Sequence, residues 1–183
     1  MDLILFGIQG SGKGTQAKKI AEKYHMEIFE TGAELRKLSQ EESELGLKVK
    51  SIIESGHLVP NDVVMEIVEN FLNHLESSNG VIFDGIPRQI HQAETLNSLL
   101  KHHNRDYKAL YIELSEESAF KRLLGRQRND DTPEVIERRI SIFKTETIPA
   151  IDLYREEMIK VDGEPSIEEV TEVIFKELDK LNS

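Results

Sequence analysis

Hydrophobic residues along the chain fall into short apolar runs separated by longer amphipathic segments. The runs predict β-strands over residues 3–6, 26–29, 81–83, 109–112 and 158–161. Helical spacing predicts helices over residues 13–24, 32–55 with a break near residue 40, 61–75, 89–102, 116–126, 133–157 and 167–181. Thr132 followed by Pro133 is typical of a helix start, with an N-cap and a first-turn proline. Strands that alternate with helices predict one three-layer α/β domain over residues 1–183, with a five-stranded parallel sheet and helices on both faces.

The connection between the second and third predicted strands is too long for a simple crossover. Its sequence is helical over most of residues 32–75. We therefore expect a small helical subdomain beside the sheet, at about residues 31–60. Its moving part should cover residues 31–57.

The first predicted strand ends in a glycine-rich loop, and Gly7, Gly12 and Lys13 fit the pattern G-x-x-x-x-G-K. Glycines let backbone N–H groups approach a polyphosphate, and the following helix adds the positive end of its dipole. This pattern predicts a P-loop NTPase fold, in which Lys13 supplies a mobile charge for the phosphates. A plain glycine turn is the alternative, and the flanking strand and helix argue against it. Thr15 lies one position later than the hydroxyl that usually reaches Mg²⁺.

Composition excludes several classes of protein. The chain has 183 residues, a net charge of −11 and no cysteine, so disulfides, thiol catalysis and cysteine-bound zinc are excluded. The acidic balance argues against general binding of nucleic acid or of anionic membranes, and it means that local positive charge must bind any polyphosphate. Because no signal peptide or membrane-spanning run is recognisable, we expect a cytoplasmic protein.

Two further groups of residues suggest phosphoryl transfer. Asp84 follows the third predicted strand, at the edge where ligands bind in open α/β sheets. It can hold Mg²⁺ directly or through water, and we expect the contact through water; a strand-end turn residue is the alternative. Arginines cluster between residues 122 and 139, and arginine forks stabilise a moving phosphoryl group. We expect Arg138 to be a solvated surface residue paired with Glu134 or Glu137.

Ordered motifs along essentially the whole chain resemble those of the adenylate kinase family of nucleoside monophosphate kinases. They are the loop GIQGSGKGT at residues 7–15, Thr31-Gly32 with Arg36, DGIPR at residues 84–88, Gln92, Arg122 with Arg126, Arg128 with Asp130-Asp131, Arg139, and KVDG at residues 160–163. The resemblance implies an adenylate kinase that reversibly transfers the γ-phosphoryl group of Mg·ATP to AMP and gives two ADP. It implies Mg²⁺ as the cofactor and ATP, AMP and ADP as the partners. We expect a monomer, with no nucleic-acid or membrane partner.

The resemblance also implies a role for individual residues. The implied ATP-binding residues are Gly10, Ser11, Gly12, Lys13, Gly14, Thr15, Arg122, Arg126 and Lys160. The implied AMP-binding residues are Thr31, Gly32, Arg36, Val59, Gly85, Arg88, Gln92, Arg128 and Arg139. The implied catalytic residues are Lys13, Arg88, Arg126, Arg128 and Arg139.

The sequence departs from the family pattern at four places. Gln9 replaces a proline, Ala33 an aspartate and Ile86 a phenylalanine. In addition, a single residue separates Arg126 from Arg128. The lid is therefore minimal, at about residues 126–131, and no zinc-binding lid is expected.

Two other functions stay open at this point. A kinase for UMP, CMP or GMP is one, and Thr31 with Gln92 argues against it because related pyrimidine kinases tend to carry alanine at the position of Thr31. A nucleotide-binding protein without catalysis is the other. A mere binder has no need of the five implied catalytic residues together.

Overall fold

The computed structural model describes residues 1–75, 79–126 and 131–181. Its strands are β1 (Asp2–Phe6), β2 (Glu27–Glu30), β3 (Val81–Asp84), β4 (Tyr107–Glu113) and β5 (Met158–Asp162). Its helices are α1 (Lys13–Tyr24), α2 (Thr31–Leu38), α3 (Glu44–Glu54), α4 (Asn61–His74), α5 (Ile90–His102), α6 (Glu116–Gly125), α7 (Pro133–Ile142), α8 (Ile148–Ile151) and α9 (Ile167–Leu181). All five predicted strands are present, and their ends differ by at most two residues from the prediction.

The five strands form one parallel sheet in the order β2-β3-β1-β4-β5. Strand β1 lies at the centre, between β3 and β4, with Leu3 opposite Ile82 and Lys108. Because all strands run the same way, their carboxyl ends meet at one edge, where the loops after β1 and β3 begin. The prediction of a five-stranded parallel sheet is confirmed.

The inner strands β3, β1 and β4 bury residues on both faces of the sheet, and helices cover both faces. Leu3 and Leu5 of β1 pack with α1 and α9, whereas Ile4 and Phe6 pack on the other face with residues of α4 to α8. These two apolar clusters flank the sheet, so the three-layer architecture is confirmed. Within the described ranges, no helix is long and apolar enough to cross a membrane.

The prediction of one continuous helix over residues 133–157 is wrong. Helix α7 begins as predicted, because the side chain of Thr132 accepts a hydrogen bond from the backbone N–H of Val135 and Pro133 occupies the first turn. After Ile142 the backbone widens into a π-helical turn (Phe143–Thr147), then α8, then a 3₁₀ helix (Asp152–Glu157). The physical reason is Pro149, which lacks an N–H and whose ring clashes with the carbonyl four residues earlier in a regular helix.

Helices α2, α3 and α4 lie between β2 and β3 in the chain, which agrees with the helical stretch predicted there. The predicted break near residue 40 corresponds to residues 39–43, where Ser43 caps α3 by accepting from the N–H of Gly46. The limits of a subdomain at residues 31–60 and its motion stay predictions. The predicted lid at residues 126–131 falls mostly on residues 127–130, which lie outside the described residues.

Candidate active site

The glycine-rich loop joins the central strand β1 to α1 and adopts a conformation that requires glycine. Gly7, Gly10 and Gly12 have φ values of 150°, 91° and 91°. A Cβ atom on Gly7 would lie 2.5 Å from Ser11 Oγ and 2.6 Å from the carbonyl oxygen of Ile112. By contrast, a Cβ on Gly12, the residue before α1, would meet nothing within 4 Å. The loop is therefore packed on its inner side and open at the helix N-terminus, where anions bind.

Lys13 begins α1, and its ammonium group folds back over the loop. Its Nζ donates to the carbonyl oxygens of Gly7 at 2.6 Å and Ile8 at 3.1 Å. Burial lowers the pKa of Lys13 to about 8; the carboxylate of Asp84 opposes this change, and the guanidinium groups of Arg88 and Arg126 add to it. A cation held in this way gains stabilisation when a polyphosphate enters, because the new negative charge favours the protonated form.

Asp84 is the last residue of β3, and only 8% of it is exposed. An ideal Cβ on Gly14 would lie 3.6 Å from its Oδ2, so the carboxylate faces the first turn of α1. Burial raises the pKa of Asp84; the charge of Lys13 opposes the shift and that of Glu30 adds to it. The expected position at the carboxyl edge of the sheet is thus observed.

On the other side of the cleft, Thr31 and Gln92 are buried, with exposed fractions of 4% and 3%. Thr31 begins α2 directly after β2, and Gln92 lies in the first turn of α5. Gly85 lies close to Thr31, since a Cβ on this glycine, whose φ is +87°, would come 3.5 Å from the Cβ of Thr31. The side-chain oxygen of Gln92 accepts from the backbone N–H of Arg88 at 2.8 Å. These residues form one polar pocket between α2 and α5.

Arg88, Arg126 and Arg139 bring positive charge to the cleft from separate parts of the chain. The Nε of Arg88 donates to the carbonyl of Gly85 at 2.8 Å. Arg126, which follows α6, donates two hydrogen bonds to the carboxylate of Asp131, at 2.8 and 2.9 Å. Arg139 of α7 donates to the same carboxylate at 2.8 Å. Because the Asp131 side chain is only 1% exposed, this buried group holds the two guanidinium groups together.

Two cations at the ends of the cleft, Arg36 and Arg122, have exposed partners. Arg36 pairs with Glu30 at 2.8 Å, and both side chains are well exposed. Arg122 is exposed as well, and its Nη2 donates to the backbone carbonyl of Glu164 at 3.2 Å. Neither contact is buried, so both side chains can turn toward a ligand at little cost.

A cleft of about 830 Å³ collects nearly all of these residues. Within the described part of the chain it is lined by eight lysine or arginine residues and two carboxylates, which makes it locally positive in an acidic protein. The predicted site residues that line it are Gly10, Gly12, Lys13, Gly14, Thr15, Thr31, Gly32, Arg36, Val59, Asp84, Gly85, Arg88, Gln92, Arg122, Arg126 and Arg139. Ser11 is buried behind the loop, and Lys160 lies exposed on the edge strand β5, outside this lining. Arg128 lies outside the described residues.

Buried polar atoms without a hydrogen-bond partner concentrate here. Among the described residues they are Gln9 Oε1, Ser11 Oγ, Thr31 Oγ1 and Asn61 Oδ1. Gln9 and Thr31 line the cleft, and Ser11 belongs to the glycine loop. Such atoms cost free energy unless a ligand or water satisfies them, so their position indicates a binding site.

The family model "Adenylate kinase" matches residues 5–159. The chain belongs to the adenylate kinase family. It is 39% identical to "Adenylate kinase" from Mycobacterium tuberculosis over 171 residues, which cover 93% of this chain and 94% of that protein. It is 40% identical to "Adenylate kinase 1" from a Nostoc species over 172 residues, with 92% and 94% covered. These matches confirm the resemblance and the expectation of an adenylate kinase.

A longer adenylate kinase, from Kosmotoga olearia, is 37% identical over 215 aligned positions, which cover 99% of this chain and all of that protein. Since this chain has 183 residues, that relative contains segments that this chain lacks. The alignment with the mycobacterial adenylate kinase, in contrast, covers nearly equal fractions of the two chains, so their lengths are similar.

Sequence reasoning missed two residues around the adenylate kinase cleft. Thr147 lines the cleft and donates a hydrogen bond to the backbone carbonyl of Arg88 at 3.1 Å. Arg138 is exposed, as predicted, but its guanidinium donates to the carbonyl of Ser55 at the end of α3. For Thr147 the sequence did offer a signal, Pro149, because a proline two residues later implies a distorted helical turn at Thr147. No sequence signal pointed to the second.

Proposed function

We propose that this cleft catalyses the reversible transfer of the γ-phosphoryl group of ATP to AMP, which gives two ADP. One observation carries the proposal: Lys13, Arg88, Arg126 and Arg139 come from four separate parts of the chain and line one cleft. Phosphoryl transfer depends on positioning and on cations placed around the moving group, and little other chemistry is needed.

The donor ATP would lie along the glycine loop. Gly10, Gly12, Gly14 and the hydroxyls of Ser11 and Thr15 would surround its phosphates, with Lys13 at the β- and γ-phosphates. The unpaired Oγ of Ser11 supports this placement. Arg122 would stack on the base and Lys160 would border it, and the Glu164 carbonyl already holds Arg122 beside the segment that follows Lys160.

The acceptor AMP would occupy the pocket between α2 and α5. Arg36 and Arg88 would bind its phosphate, while Thr31 and Gln92 would contact its base next to Gly32, Val59 and Gly85. The buried and unpaired hydroxyl of Thr31 supports a polar ligand at this place.

In the transfer step, an oxygen of the AMP phosphate forms a bond to the γ-phosphorus as the bond to the β–γ bridging oxygen breaks. The departing oxygen stays on the β-phosphate and its charge rests near Lys13. Arg126, Arg128 and Arg139 would surround the moving group, and Asp131 holds Arg126 and Arg139 at one place. The three hydrogen bonds to the buried Asp131 carboxylate would fix these guanidinium groups before substrate arrives.

Mg²⁺ fits the residues present. Asp84 offers one buried carboxylate facing the glycine loop, and no cluster of three potential ligands occurs among the described residues. Magnesium is commonly held by one or two carboxylates, water and the phosphates of a substrate. We propose that Asp84 holds the ion through water, where it would neutralise charge on the phosphates.

We also propose a monomeric, cytoplasmic enzyme without nucleic-acid or membrane partners. It would have an acceptor subdomain at about residues 31–60 and a short lid at about residues 126–131.

A coupled assay of ADP formation from ATP and AMP tests this function. Turnover with AMP and far less with UMP, CMP or GMP is the expected result. Turnover that prefers another monophosphate would favour a different kinase of this class, and nucleotide binding without turnover would favour a non-catalytic binder. Lys13→Ala and Arg88→Ala should each lower kcat/KM on the order of 10³-fold with unchanged melting temperatures.

A further inference from the structure

Arg88 is held by three contacts, and one of them comes from a distant part of the chain. Its Nε and its backbone N–H bond to Gly85 and Gln92, which lie within four residues. Its backbone carbonyl accepts a hydrogen bond from the hydroxyl of Thr147, 59 residues further along, at 3.1 Å. The contact crosses from the π-helical turn (Phe143–Thr147) to the residue that precedes the α5 cap.

Thr147 uses its hydroxyl differently from Thr95 and Thr145, two other helical threonines. The hydroxyls of Thr95 and Thr145 each bond to the carbonyl four residues earlier in the same helical segment, at 2.8 and 3.1 Å. This is the usual local bond of threonine in helices. Thr147, only 7% exposed and lining the cleft, directs its hydroxyl across to Arg88 instead.

The contact also fixes Arg88 relative to a second cation. The π-helical turn continues α7 without interruption, and α7 carries Arg139. Arg88 and Arg139 repel each other electrostatically, since the charge of Arg139 lowers the pKa of Arg88, although burial lowers it more. Two like charges that must stay close to one phosphoryl group need such an anchor between their elements.

We propose that Thr147 is a positioning residue for phosphoryl transfer, whose hydroxyl holds the Arg88 backbone so that the guanidinium meets the acceptor phosphate. The inference rests on the proposed function, in which Arg88 binds that phosphate. In this role Thr147 acts through Arg88 and not on the reacting atoms. Its loss should therefore weaken use of the acceptor without weakening the donor site.

The first experiment compares Thr147→Val, which removes the hydroxyl at nearly constant shape, with the wild type in the ADP assay. We expect kcat/KM for AMP to fall about tenfold, while the KM for ATP and the melting temperature stay close to the wild-type values. Thr147→Ser keeps the hydroxyl and should restore most of the activity. Thr145→Val is the matched control, because the same change on the same turn removes only a local, exposed bond; it should leave kinetics unchanged.

A double-mutant cycle separates this inference from the proposed function. If Arg88→Ala alone leaves activity intact, the proposed role of Arg88 fails. If Arg88→Ala is severe and Thr147→Val costs another tenfold in that background, Thr147 does not act through Arg88 and the inference is wrong; no further loss supports it. If the valine variant does not fold, Thr147→Ser and Thr147→Ala give the same comparison. Equal kinetics of those two would overturn the inference.

Discussion

Lys13 illustrates how a single side chain is prepared for a ligand. Its ammonium group donates to the carbonyls of Gly7 and Ile8, yet burial lowers its pKa to about 8. A lysine in water has a pKa of about 10.5, so it keeps its proton up to about that pH. The free enzyme therefore begins to lose the charge needed for phosphate binding only slightly above neutral pH.

This shift predicts a specific pH dependence. As pH rises through about 8, kcat/KM for ATP should fall, because it reports the free enzyme. The decline of kcat should occur at higher pH, since bound polyphosphate stabilises the ammonium form. Rate profiles between pH 6 and pH 10 measure both. Lys13→Arg, which keeps its charge throughout this range, should lose the alkaline decline of kcat/KM; a decline that persists in this variant would assign it to another group.

The lowered pKa of Lys13 also determines whether this residue raises or lowers the free energy of unfolding as pH increases. Below pH 8 the lysine is protonated in both states, and the folded protein bears the cost of the buried charge. Between about 8 and 10.5 the unfolded chain binds more protons than the folded one, so this residue makes the free energy of unfolding rise with pH.

Gln9 is a second residue whose effect on the free energy of unfolding can be tested. It stands where the family pattern has proline, and its Oε1 is buried without a partner among the described residues. Gln9→Pro should raise the free energy of unfolding by about 0.5–1 kcal/mol, because proline reduces the entropy of the unfolded chain and the unpaired oxygen is removed. Denaturant unfolding measures the difference, and Gln9→Ala separates loss of the amide from restriction of the backbone. A proline variant less stable than the alanine variant would mean that the loop needs a conformation closed to proline.

At the scale of elements, the sequence predicted β1, α1 and α9 closely, because their apolar spacing is regular and their ends are marked by glycine, polar or charged residues. It did not predict the π-helical turn, since residues 133–157 keep a helical pattern of apolar residues across Pro149. It also assigned Arg138 to solvent. The partner of Arg138 is a backbone carbonyl 83 residues away, and no local pattern encodes such a contact.

The contact between Arg138 and Ser55 joins α7 to the segment 31–57, which we expect to move. The guanidinium meets the carboxyl end of α3, where the helix dipole favours a cation. Next to it, a Cβ on Gly56 would lie 3.0 Å from the side chain of Val135, so the two elements are in close contact. This surface is the place at which the acceptor segment would open and close against α7.

We predict that Arg138→Ala loosens this contact and raises the KM for AMP about two- to fivefold, with little change in the KM for ATP. The expected size follows from the small net value of an exposed hydrogen bond. Arg155→Ala is the control, because Arg155 is an exposed arginine whose partner among the described residues, Asp152, lies three residues earlier. NMR shifts of the free and bisubstrate-bound enzyme should change mainly over residues 31–57. A fixed acceptor segment with movement confined to residues 126–131 would contradict the prediction.

At the scale of the whole molecule, the cleft carries charge of the opposite sign to the net charge of the protein. The net charge is −11, and yet the described cleft is lined by eight cations and two carboxylates. The sequence predicted that local positive charge must bind a polyphosphate, and its motifs contain six of the eight cations that line the described cleft. What it could not give is how these cations are restrained: Asp131 bridges Arg126 and Arg139, and Thr147 holds Arg88. Those contacts depend on the packing of α6 against α7, and of α5 against α8, which follows the π-helical turn.

The two ends of the cleft differ in burial, and this difference predicts unequal selectivity for the two bases. On the proposed acceptor side, Thr31 and Gln92 are almost fully buried, and the Thr31 hydroxyl is unpaired. A base that fails to match such groups leaves them unsatisfied and is rejected strongly. On the proposed donor side, Arg122 and Lys160 are exposed, and stacking on a guanidinium tolerates any base.

We therefore predict narrow choice of the acceptor nucleotide and broader choice of the donor. Values of kcat/KM for AMP, GMP, CMP and UMP with ATP should differ by at least about 10³-fold between AMP and the others, as expected where buried polar groups are left unpaired. Those for ATP, GTP, CTP and UTP with AMP should differ by about tenfold, as expected of stacking contacts. Thr31→Ala should reduce discrimination among acceptors and leave that among donors unchanged, because its hydroxyl lies on one side only. Equal discrimination on both sides, or sharper discrimination among donors, would show that burial at the two ends does not decide which base is accepted.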